Sequence, residues 1–210
     1  AGAPFTEAQT QRLHAAVNAA CDGADGLKDG IVTDPRACPF DPRTLQCGGS
    51  GEQSACLSAG QVQALRTVYG TTKTSAGETV SYPLMRGSEL SWSRFISNQK
   101  PPTAEDFNSG AAGAGLGGLR KLIFNDASFN LAAFDPERHF RTLSGSGFAA
   151  AYEAKDPDIS AFVKAGGKLL MWHGVYDPGP SAIATVEYFE RVQKVTGPKV
   201  PSLDSSVRLF

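Results

Sequence analysis

GGKLLMWHGVYDPGPSA, Gly166 to Ala182, carries the clearest fold signal in the chain. Two glycines open it, an apolar run follows from Leu169 to Trp172, and Gly174 ends the run. A short apolar run bounded by glycines predicts a buried strand of a parallel sheet. Its neighbours have the helical period instead. DPDISAFVKAGG (156–167) predicts a helix closed by Gly166. SAIATVEYFERVQKVTGP (181–198) predicts a second helix, capped by Ser181, with Ile183, Val186, Phe189 and Val192 inward and a Gly-Pro stop. SSVRLF (205–210) begins another strand. Helix, strand, helix, strand at this spacing makes a parallel α/β unit with right-handed crossovers. Two strands do not form a stable sheet alone, so this unit is expected to be a piece of a larger one.

The upstream residues read differently. TEAQTQRLHAAVNAA (6–20) predicts a helix with a Thr6/Gln9 capping box and Leu13, Ala16, Val17 and Ala20 on one face. SAGQVQALRTVYG (58–70) predicts another, capped by Ser58 and Gln61 and ended by Gly70. Between them lies a turn-rich loop without period. From Thr71 to about Gly118 the pattern is irregular, with short helices. Gly113, Gly115 and Gly118 match G-x-G-x-x-G, but no strand precedes them, as a dinucleotide site requires. The chain thus divides into residues 1–150, loop-rich and mostly helical, and residues 151–210, the α/β piece.

Four cysteines, Cys21, Cys38, Cys47 and Cys56, fall within one loop-rich region and form no C-x-x-C pair. The even count predicts two disulfides and an oxidising compartment, outside the cell or in a periplasm. Of three possible pairings, Cys21–Cys38 and Cys47–Cys56 close the most compact loops. A formal charge of −1 over 210 residues gives no basic surface for nucleic acid. No apolar run approaches the ~20 residues a membrane helix needs.

Acid concentrates between the first two cysteines, in CDGADGLKDGIVTDPRAC (21–38). Asp22, Asp25 and Asp29 are spaced three and four apart, with glycines that let the backbone turn tightly. Hard oxygen donors in this density suit Ca²⁺. An EF-hand is excluded, because a loop starting at Asp25 has Leu27 third and Arg36 twelfth. The other reading is a solvated turn in which the aspartates cap and turn the backbone.

These residues bring a family into view. CDGADGLKDGIV with its Cys21–Cys38 spacing, and the His-Gly turn of the opening segment, resemble the tannase and feruloyl esterase family of secreted serine esterases, which includes aromatic polyester-monomer hydrolases. The resemblance implies an α/β-hydrolase core with a large inserted lid, here residues 1–150, and a partial core, here residues 151–210. It implies a structural Ca²⁺ on the carboxylates of Asp22, Asp25 and Asp29 and the carbonyls of Leu27 and Ile31. It also supports the two sequential disulfides, and it makes Asp177 the acid of a Ser-His-Asp triad. Trp92 and Phe95 are the candidate contacts for an aromatic group of a small ester substrate.

The departures are equally specific. An α/β-hydrolase orders its triad Ser, Asp, His. No G-x-S-x-G occurs in the 210 residues, and His173 precedes Asp177. The chain is therefore expected to be inactive alone and to work with the remainder of the same esterase, which would carry the serine and histidine. The alternative reading is a non-enzymatic, calcium-stabilised secreted binding module.

Overall fold

The computed structural model describes residues 5–48, 56–94, 119–130 and 133–210. The elements form two groups with separate cores. The first core gathers Phe5, Leu13, Val17, Val32, Phe40, Leu57, Val62, Leu65, Tyr69 and Trp92 around the Cys21–Cys38 bridge. The second gathers Val163, Val192, Val200, Leu203 and Val207.

Helix α1 (Glu7–Cys21) starts where the sequence marks it. Thr6 accepts from the Gln9 backbone N–H, and the Gln9 side chain accepts from the Thr6 N–H. Helix α2 (Ala59–Val68) repeats the device with Ser58 and Gln61. The two capping glutamines also meet each other: Gln61 Nε2 donates to Gln9 Oε1 at 3.0 Å. Gln9 Nε2 donates to the Cys56 carbonyl at 2.8 Å, so the helix starts register on one another beside the Cys47–Cys56 bridge. The Gln9 and Gln61 amides thus have partners, which burial requires.

Residues 71–94 are more ordered than their composition suggests. Strands β1 (Thr72–Lys73) and β2 (Thr79–Ser81) form an antiparallel hairpin, whose turn Gly77 makes with φ 84°. A 3₁₀ helix, Glu89–Arg94, follows. It delivers Glu89 into the first core, where the side chain is fully buried. The Glu89 carboxyl accepts from Tyr69 OH at 2.7 Å and from the Gly87 N–H at 2.8 Å through Oε1. Its Oε2 lies 2.9 Å from His14 Nδ1. His14 Nε2 faces the Asn18 amide nitrogen at 3.0 Å, which makes Nδ1 the protonated nitrogen that donates to Glu89. Burial pushes the Tyr69 phenol well above its ordinary range, with the neighbouring Glu89 adding to the shift.

Two further helices, α3 (Pro136–Ser144) and α4 (Gly147–Tyr152), precede the α/β piece. There α5 (Ser160–Lys164), β3 (Leu169–Met171), α6 (Ala182–Thr196) and β4 (Val207–Leu209) follow in order. Strands β3 and β4 are parallel, in the register Leu169 to Val207 and Met171 to Leu209. The helix–strand–helix–strand expectation therefore holds. One detail is corrected: β3 is not buried on both faces. Leu169 and Met171 pack on the second core, whereas Leu170 is 60% and Trp172 75% exposed. The reason lies in the alternation of a strand, since only one side is covered by α6 and its neighbours. The G-x-G-x-x-G glycines lie outside the described residues. No helix among the described residues is long and apolar enough to cross a membrane.

The buried Glu89 satisfies three donors at once, so Glu89→Ala leaves the Tyr69 hydroxyl and the Gly87 N–H buried without a partner and frees the half-buried His14 Nδ1–H. Each buried polar group left unpaired costs about 1–3 kcal/mol, so the cluster loses about 3–5 kcal/mol. At 2–4 °C per kcal/mol for a chain of this size, we expect calorimetry to register a melting temperature about 10 °C lower. A variant that melts with the wild type would show that this cluster does not hold the first core together.

Candidate functional site

Asp177 follows β3 on a tight turn. Its N–H donates to the Gly174 carbonyl at 3.0 Å, and its Oδ1 accepts from the Gly179 N–H at 2.7 Å. Oδ2 has no hydrogen bond among the described residues. The nearest base is His173, four residues earlier, with Nε2 at 3.8 Å from Oδ2. That histidine is otherwise committed: Nε2 lies 3.1 Å from the Pro180 carbonyl, and Nδ1 lies 2.6 Å from Thr185 Oγ1 on α6. A carbonyl only accepts, so Nε2 carries the proton and Nδ1 accepts from the threonine. His173 therefore braces the turn and does not serve Asp177. The carboxylate sits beyond the C-terminal end of a parallel strand, with one oxygen engaged in its own turn and the other open to a partner. Functional groups of parallel α/β proteins collect at such strand ends.

The turn is tied to the first core from both sides of Asp177. Tyr176 OH accepts from the Val32 N–H at 2.6 Å. Ser91 Oγ lies 3.3 Å from the Tyr176 carbonyl. Ser181, the cap of α6, accepts from the Ile183 N–H and also donates to the Pro83 carbonyl at 2.5 Å. Sequence reading did not find these ties. Tyr176 stood inside the quoted motif, but nothing local distinguishes a tyrosine that reaches a residue 144 positions away.

The acidic loop lies on the other side of Val32. Asp22 Oδ1 accepts from the N–H groups of Asp29 and Gly30 at 3.1 and 3.0 Å. Asp25 Oδ1 accepts from the Leu27 N–H at 2.9 Å, and its Oδ2 from the Thr33 hydroxyl at 2.5 Å. Asp29 Oδ1 accepts from the Ile31 N–H at 3.0 Å. The Thr33 hydroxyl, with the Leu27 N–H behind it, holds the Asp25 carboxyl below its ordinary range. Gly26 and Gly30 turn the loop with φ 93° and 82°. The side chains of Leu27 and Ile31 are exposed. Carboxylate and carbonyl oxygens within one short loop are the donor chemistry of a hard cation. In this structure, however, the three carboxylates turn to backbone amides. Among the described residues no three acidic, histidine or cysteine side chains converge on one point.

Trp92 requires a correction. It is 1% exposed, donates from Nε1 to Ser88 Oγ at 2.8 Å and packs with its ring centroid 5.5 Å from that of Tyr69. An aromatic ring of this size gains more by filling the core than by lining a cleft. Phe95 lies outside the described residues. An apolar cavity lies elsewhere, lined by Tyr82, Leu122, Phe140, Phe148, Tyr152 and Ala184.

The comparisons converge. Residues 3–210 match the family model described as tannase and feruloyl esterase. An uncharacterised esterase of Xanthomonas campestris pv. campestris is 30% identical over 206 residues, covering 90% of this chain and 34% of that protein. A probable feruloyl esterase of Aspergillus oryzae is 30% identical over 217 residues, covering 98% of this chain and 36% of that one. The crystal structure of feruloyl esterase B from Aspergillus oryzae superposes with a TM-score of 0.81 at 26% identity, over 98% of this chain and 39% of the other. The chain thus spans about a third of the length of these relatives, and its fold is of the α/β-hydrolase type: it belongs to the tannase and feruloyl esterase family.

Proposed function

We propose that this chain forms the acid-bearing portion of a carboxylic ester hydrolase acting on aromatic esters, feruloyl, galloyl or similar, by a Ser-His-Asp mechanism. The observation that carries the reading is the open Oδ2 of Asp177 at the end of β3, in a chain of this family. The serine and histidine would come from outside these residues, from the remainder of the same esterase. The half-covered sheet supports that division. Leu170, Trp172 and Phe210 expose apolar surface on a two-stranded sheet, whose open face helices of the remaining fold would cover while further strands extend its edges. Residues 1–150 would act as the lid and residues 151–210 as the core segment.

The chemistry follows from the carboxylate. Serine Oγ would attack the ester carbonyl while the histidine takes its proton. Asp177 Oδ2 would accept from the other imidazole N–H, hold that tautomer and stabilise the imidazolium as it forms. The tetrahedral intermediate would expel the alcohol, which takes the proton back, and leave an acyl-enzyme. Water would then release the acid by the same exchange. Engagement of Oδ1 by the Gly179 N–H fixes the carboxylate plane, so the free oxygen is pre-aimed.

We also propose a structural Ca²⁺ on the acidic loop, held by the carboxylates of Asp22, Asp25 and Asp29 and the carbonyls of Leu27 and Ile31. Three acids within one short loop repel one another, and a divalent ion would relieve that repulsion. The ion would order the lid and take no part in ester cleavage. The two disulfides support an extracellular or periplasmic setting, because such bridges persist where the compartment is oxidising.

Two outcomes test this reading. The 210-residue chain alone should not turn over a feruloyl or galloyl ester, whereas a protein of the relatives' length containing it should. In that protein Asp177→Asn should lower kcat by about 10⁴-fold, the loss expected when the histidine takes the wrong tautomer. Turnover by the short chain, or an undiminished kcat in the variant, would refute the assignment. For calcium, saturation at a hundred times Kd contributes about 2.7 kcal/mol. Excess EDTA should therefore lower the melting temperature by about 5–10 °C. An unchanged melt removes calcium from the account.

A further inference from the structure

Asp177 is anchored by a residue that belongs to neither the triad nor the acidic loop. Tyr176, immediately before it, sends its ring out of the α/β piece and across Gly87 to Val32 at the edge of the first core. Its OH accepts from the Val32 N–H at 2.6 Å and lies 3.4 Å from the Val32 carbonyl. Val32 is 2% exposed, so this amide has no water to replace the phenol. The ring passes over Gly87, whose φ is 101°. A Cβ at that position would meet the Tyr176 OH at 2.6 Å and the ring carbon Cε1 at 2.9 Å. Glycine is thus required there twice, for its backbone conformation and for the ring's path. The Gly87 N–H in turn donates to buried Glu89, so the floor under the ring is fixed by the first core. Burial raises the Tyr176 phenol above its ordinary range against the opposing pull of the Val32 N–H, with Glu89, Asp22 and Asp29 adding to the rise.

We propose that Tyr176 is a positioning residue for the acid. It pins the Asp177 turn to Val32, the residue where the acidic loop enters the core, and so couples the order of that loop to the aim of the Asp177 carboxylate. This rests on the reading of Asp177 as the triad acid. Tyr176 touches no substrate. It acts because it is the residue before Asp177, and a shift of about 1 Å in a group that orients a catalytic base is costly.

Amide hydrogen exchange in a protein of the relatives' length that contains this chain tests the positioning without any activity. In Tyr176→Phe the ring stays and only the OH is lost. Exchange should accelerate at least about tenfold at Val32, which loses its acceptor, and also at Asp177 and Gly179, whose N–H bonds close the turn. Amides inside α1 and α2 should keep their protection. Acceleration at Val32 alone, or equal acceleration throughout the chain, overturns the proposal.

The catalytic consequence has a separate readout in a protein of the relatives' length, measured per titrated active serine. Tyr176→Phe should lower kcat about tenfold with KM unchanged. The acid limb of the kcat/KM profile should also move to lower pH, because a poorly aimed Asp177 stabilises the imidazolium less. A profile that is scaled but not shifted contradicts the positioning role. If Asp177→Asn leaves kcat intact, the triad assignment fails instead, whatever the exchange data show.

Discussion

One buried carboxyl organises the contact between the two halves of the chain. Glu89 has no solvent, and three donors from three places in the sequence converge on it: His14 of α1, Tyr69 at the end of α2 and the Gly87 backbone. A buried acid survives only with its lone pairs occupied, and the fold supplies each partner from an element whose start or end is already set by a cap or a turn. Gly87 is then held in a left-handed conformation and leaves space for Tyr176. Through that ring the irregular, disulfide-bridged half reaches the strand end that carries Asp177. The Ser181 bond to Pro83 makes a second tie across the same seam.

Local signals in the sequence found local structure. The capping boxes at Thr6 and Ser58, the Ser181 cap and the run Leu169–Trp172 each act within a few residues, and each appears where the pattern puts it. What escaped is long-range. The Gln9–Gln61 pair, the Glu89 cluster and the Tyr176–Val32 bond join residues tens of positions apart, and no period or spacing announces them. Trp92 illustrates the opposite error. Its size and position suggested a ligand platform, yet the same area that makes an aromatic useful in a cleft makes it more useful in a core. The hairpin of β1 and β2 was hidden because two- and three-residue strands leave too little alternation to detect.

The site itself was legible in part. Asp177 stood out through the resemblance of its His-Gly turn to the family's, in which the aspartate four residues after that histidine is the triad acid; read without the resemblance, Asp-Pro is an ordinary turn. The acidic loop stood out by density of charge alone. Each aspartate of that loop is already a turn former here, which explains why the sequence allowed both a turn and an ion-binding reading: the two draw on the same short carboxylates and the same glycines. Tyr176 and Gly87 link these two features, and their roles exist only in three dimensions.

We propose that Asp177 pairs with a histidine from beyond these residues. A crystal structure of a protein of the relatives' length that contains this chain tests it most directly. We expect an imidazole nitrogen within about 2.6–3.2 Å of Asp177 Oδ2, from a histidine later in the chain that also faces a serine. Asp177 facing only water, a basic side chain or His173 in that structure would contradict it.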